Sequence, residues 1–95
     1  MKENIIAIKS ELFAIEIIAL CKQLKIKKEY ELANQILRSG TSIGANIAES
    51  VDAQSTKDFL NKISISLKEA RETQYWFKLL LKSSICNTEE LKSSK

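Results

Sequence analysis

Gln35-Ile36-Leu37-Arg38-Ser39-Gly40-Thr41-Ser42-Ile43-Gly44-Ala45-Asn46-Ile47-Ala48-Glu49 is the stretch on which the reading of this chain turns. It holds both glycines of a 95-residue sequence that has no proline. Local propensity allows Gly40 to end one helix and Thr41 or Ser42 to cap the next. The other reading is one helix with a patch of small residues. Gly40 and Gly44 are then four apart on one side, where a neighbouring backbone can approach closely. Leu32, Ile36, Ile43 and Ile47 keep helical phase across the glycines, which predicts a continuous helix over 29–52 at a cost of about 1 kcal/mol per glycine relative to alanine.

Upstream, residues 4–24 carry two apolar sets. Ile5, Ile8, Leu12, Ile15 and Ala19 share one helical face, and Ile6, Phe13, Ile17, Leu20 and Leu24 form a second. Two stripes on one helix predict burial from two directions. Lys25, Lys27 and Lys28 mark the break that follows. Downstream, Ala53-Gln54-Ser55 reads as a turn, and Ser55 with Asp58 matches a capping box. It opens a helix over 56–82 whose main apolar face is Phe59, Ile63, Leu67, Ala70, Gln74, Phe77 and Leu81. Asn87 or Thr88 before Glu89-Glu90 starts a short fourth helix over 88–93. The expected fold is a single all-α domain over residues 1–95.

Two basic segments flank an acidic one. Residues 1–28 hold six lysines against three glutamates, residues 29–54 one arginine against four acids, and residues 55–86 six bases against three acids. This favours side-by-side packing and leaves positive surface for an anionic partner. No apolar run nears the roughly 20 residues of a membrane span. The start of the chain lacks the pattern of a secretory signal, so a cytoplasmic location is expected. Cys21 and Cys86 have no CxxC spacing and read as free thiols.

The chain has no histidine, which removes the commonest general base and metal ligand. It has no phosphate-binding glycine loop, no GxSxG and no HExxH. We therefore expect neither catalysis nor a cofactor nor a metal. The third helix carries a better signal. Lys57, Lys68, Arg71, Tyr75, Lys78 and Lys82 fall in one stripe about 80° wide, away from the apolar face. A basic stripe with one aromatic can follow a phosphate backbone and stack a base. The same lysines also fit a solvated face paired with acids of the second helix. Ile65, Trp76 and Leu79 form a third side, read as a subunit contact or as a patch covered by the chain end.

The central stretch resembles the signature of a bacterial four-helix bundle family named for proteins encoded in intervening sequences of 23S ribosomal RNA genes. Ser55-Thr56-Lys57-Asp58-Phe59, Lys62-Ile63-Ser64-Ile65-Ser66-Leu67-Lys68-Glu69-Ala70 and Glu72-Thr73-Gln74-Tyr75-Trp76-Phe77-Lys78-Leu79-Leu80 extend the match, as do Lys9-Ser10 and Leu12-Phe13-Ala14. The resemblance implies one continuous second helix in an antiparallel up-down four-helix bundle. It also implies a homopentamer. A related branch, the accessory protein of diversity-generating retroelements, suggests nucleic acid (RNA or DNA) and a reverse transcriptase as partners. Members carry a full fourth helix, whereas this sequence runs to Lys95, so a truncated fourth helix is expected. Arg38, Asn46 and Glu49 lie near one face of the second helix. They are expected to form a structural polar network with Lys68, Glu69 or Glu72; direct contact of Arg38 with nucleic acid is the alternative. Two functions remain open: a homo-oligomeric nucleic-acid binder, and a protein-assembly adaptor that never touches nucleic acid.

Overall fold

The computed structural model of this chain describes residues 4–92, with the side chains of all but residues 90 and 92. Among these residues the protein is all α-helix, with three long helices and no strand. They are α1 (Ile5–Ile26), α2 (Tyr30–Val51) and α3 (Thr56–Lys82). A five-residue helix, α4 (Thr88–Lys92), follows. The described residues do not confirm the expected antiparallel four-helix bundle with a truncated fourth helix: they give three long helices and a five-residue one. The middle helix α2 carries the main packing against both α1 and α3. One and a half turns of α4 cover a single end of the assembly. Residue 93, the expected end of the fourth helix, lies outside the described residues.

Each helix has a physical start and stop. The Asn4 side chain accepts a hydrogen bond from the Ala7 amide, and Ser55 accepts one from the Asp58 amide, as its capping-box spacing predicts. Both α1 and α3 end without glycine. Lys28 (φ 65°) and Ser84 (φ 62°) adopt the left-handed conformation. Behind them the Glu29 amide reaches the Leu24 carbonyl and the Ile85 amide reaches the Leu80 carbonyl. These are Schellman closures, and Ile85 packs against the core as the apolar residue that usually follows one.

The predicted continuous α2 runs unbroken through Ser39–Ser42. Its two glycines face α1. A Cβ on Gly40 would meet Ile17 side-chain atoms at 2.8–3.0 Å, and one on Gly44 would meet the Ser10 carbonyl oxygen at 3.2 Å. Hydroxyl residues line the opposite junction with α3. Thr73 Oγ1 lies 2.9 Å from buried Ser39 Oγ, and Ser66 Oγ donates to the Ile43 carbonyl at 2.9 Å. Small side chains on both flanks therefore let three helices approach closely around Ile36, Leu80, Ile17 and Leu24, all of which are fully buried. Cys86 and Leu91 complete this core at the α4 end.

Two sequence expectations about faces need correction. The buried line of α3 is Ser66, Thr73 and Leu80, whereas Phe59, Leu67, Gln74 and Leu81 are exposed. The apolar face lies about 70° around the helix from the line that meets α2. Close approach selected hydroxyls for that line, and hydropathy alone could not see it. In α1 the second apolar set, Ile17, Leu20 and Leu24 with half-buried Phe13, enters the core, but Ile6 stays exposed. The first set is directed away from α2: Ile5, Ile8, Leu12 and Ile15 remain 42–66% exposed.

Candidate nucleic-acid interface

The α3 helix separates its charges. Lys57, Lys68, Arg71, Tyr75, Lys78 and Lys82 are all exposed. At 100° per residue they occupy the side of α3 opposite its buried line, over a length of about 37 Å. The helix's three acids, Asp58, Glu69 and Glu72, lie on the α2 side. There Arg38 donates to Glu69 at 2.7 Å and also to Glu72, and Lys62 meets Glu49 at 2.9 Å. Among the described residues, none of the five cations of the outward stripe joins an ion pair.

The expected polar network takes a different shape. Arg38 and Glu69 come together and recruit Glu72, whose Oε2 also accepts from Trp76 Nε1 at 3.0 Å. Hydrogen bonds from Arg38 and then from Trp76 hold the Glu72 carboxyl below the usual range, and the Glu72 bond raises the Arg38 guanidinium further. Asn46 and Glu49 do not join: Asn46 Nδ2 donates to the Ser42 carbonyl of its own helix, and Glu49, about three turns along α2 from Arg38, pairs with Lys62. Lys68 faces outward. The Arg38 side chain is half exposed, so this is a surface clamp between α2 and α3 and not a buried network.

Ile65, Trp76 and Leu79 are half-buried. The Trp76 ring leans on the core cluster beside Leu32 and lies 5.5 Å from the Tyr75 ring, so α2 covers much of the expected patch. The larger exposed apolar surface is on α1. One feature of the basic surface was not singled out from the sequence. Lys25, Lys27 and Lys28 sit at the α1–α2 turn, at the same end as Lys78 and Lys82. Lys27 Nζ donates to the Ile85 carbonyl just beyond α3, at 2.9 Å. Counting residues in an up-down topology would have brought these groups together.

Burial pushes the Cys21 thiol up to about 11, against a smaller opposing pull from Lys25, so it is protonated at neutral pH; its Sγ donates to the Ala33 carbonyl. Among the described residues no cluster of three or more cysteine, aspartate and glutamate side chains could hold a metal ion. Nor is any helix among them long and apolar enough to cross a membrane.

The fold and the surface define a small all-helical protein that presents an exposed, positively charged helix face. Residues 2–95 match the family described as 23S rRNA-intervening sequence protein, and the chain belongs to that family. A solved relative is described as a protein with unknown function from the S23 ribosomal protein family from Bacteroides thetaiotaomicron VPI-5482. It is 47% identical, with a TM-score of 0.89 over 95% of this chain and 84% of that one. The search of curated proteins gives no match.

Proposed function

We propose that this chain is a non-catalytic, self-associating helical module of the cytoplasm that binds the backbone of RNA or DNA through the outward face of α3. The observation that carries the proposal is the charge separation on α3: its acids are turned toward α2, while Tyr75 and five cations that join no ion pair among the described residues are turned to solvent. Cations at this spacing reach successive phosphates, and Tyr75 offers a ring to a splayed base. Lysines carry no base code, so sequence preference is slight. Repetition of the face in each copy of an oligomer lets several weak sites act together. Anisotropy of a labelled single-stranded RNA tests this, with an expected steep loss of affinity as salt rises. No association at low salt would exclude it.

A specific feature favours a second reading, a protein-assembly adaptor. Phe13, Ile43, Ala70 and Phe77 line a cleft of about 280 Å³ between α1 and α3. It lies where the fourth helix of the expected four-helix bundle would run, and α4 supports that arrangement at one end only. A protein partner, a reverse transcriptase by the resemblance, would seat an apolar helix there. Such binding would depend on Phe77 and change little with salt.

A further inference from the structure

The Trp76 ring borders a hollow on the α2–α3 side of the molecule. Glu31, Leu32, Asn34 and Gln35 of α2 line it together with Trp76, and its volume is about 390 Å³, within the range of small-ligand sites. Leu32 and Trp76 are half-buried, whereas Glu31, Asn34 and Gln35 are exposed. The hollow therefore joins an apolar wall to a rim of two amides and one carboxylate. The indole is held in place: its Nε1 donates to Glu72 Oε2 at 3.0 Å, and Arg38 donates to the same oxygen. With its one N–H spent, the ring has only its π faces and carbon edge to offer a ligand. Tyr75 stands beside it, with ring centroids 5.5 Å apart and planes tilted by 60°. The two rings make an open corner, which suits a flat aromatic ligand with its face on one ring and its edge toward the other.

We propose that this hollow receives one unpaired base of a single-stranded nucleic acid whose phosphates lie on the outward face of α3. Tyr75 belongs to that face, and Trp76, the next residue, is turned 100° from it toward α2. Arg71 and Lys78 are exposed about one turn before and after Tyr75, so they hold phosphates on both sides of the ring pair. A base swung off that backbone stacks on the indole, a contact that tolerates every base. Its polar edge meets the rim. Asn34 and Gln35 each present a donor and an acceptor, and the Glu31 carboxylate accepts only. Cytosine carries an amino group that donates to Glu31, where uracil presents a carbonyl oxygen, so the rim adds a mild bias against uracil. The Glu31 charge also keeps phosphates out of the hollow and on the cationic face.

The inference rests on the nucleic-acid reading above and adds a base-binding site to it. Trp76 is the chain's one tryptophan, so its fluorescence reports on the hollow without any substitution. The probes are short oligocytidylate and oligouridylate RNAs and an abasic strand of equal length and charge, with affinities taken from anisotropy at low salt. We expect both RNAs to quench Trp76 emission and the abasic strand to leave it unchanged, binding at least about fivefold more weakly. Oligocytidylate should bind about threefold more tightly than oligouridylate. Glu31→Gln, at an exposed position, should remove that difference and leave helicity unchanged. No association with any strand would overturn both this site and the nucleic-acid reading. Association with unchanged emission, or with cytidylate and uridylate held alike by the wild type, would overturn the base site alone.

Discussion

Gly40 leaves no room for a methyl group, because its missing Cβ points at Ile17, which is fully buried and has nowhere to move. Alanine at a helix interior normally gains about 1 kcal/mol over glycine. Here the clash should reverse the sign, and Gly40→Ala should lose about 1–3 kcal/mol in urea unfolding. A raised midpoint would mean that α1 and α2 are not in the contact described. The clamp at Arg38 gives a second expectation. Because the folded Glu72 carboxyl lies below its usual range, its contribution is present above the unfolded glutamate pKa and disappears as pH falls through the folded value. The groups are partly exposed, so the effect is at most ~1 kcal/mol. Unfolding measured from pH 7 down to pH 3 should show a larger loss for the wild type than for Glu72→Gln. Equal losses would remove the clamp from the account.

The element ends carry strain that the sequence does not advertise. Lys28 and Ser84 hold left-handed backbone where glycine is the usual residue. Lys28→Gly and Ser84→Gly should each stabilise the protein, by about 0.5–1 kcal/mol, seen as a higher thermal midpoint. A fall would place these residues outside the closures described. At this scale the helices themselves were legible: apolar phase carried α2 across its glycines, and Ser55 marked the start of α3. The orientation of α3 was not. Its contact line is written in Ser66 and Thr73, and hydroxyls that serve close packing look like surface residues to any reading based on hydropathy.

For the whole molecule, two opposed apolar sets on α1 announced a helix with more than one neighbour. Among the described residues α2 is the main neighbour of α1, and the outward apolar set stays exposed. The candidate site was legible as a stripe, because helical spacing alone collects Lys57 through Lys82 on one side. Whether those lysines were engaged by acids of α2 was not legible. It depends on how α3 is rotated against α2, and that rotation was misread. The observed rotation turns Glu69 and Glu72 of α3 to Arg38 of α2, sets Glu49 of α2 against Lys62, and leaves the outward cations in no ion pair among the described residues, open to the proposed partner.

That partner is the central claim, and the most direct measurement compares wild type with Lys78→Glu/Lys82→Glu in RNA anisotropy across a salt series. Both lysines are exposed and make no ion pair among the described residues, so the variant should fold with unchanged helicity. The account predicts more than about tenfold weaker binding for the variant at low salt, with a shallower salt slope because fewer counterions are released. Equal affinity and equal slope for the two proteins would contradict it.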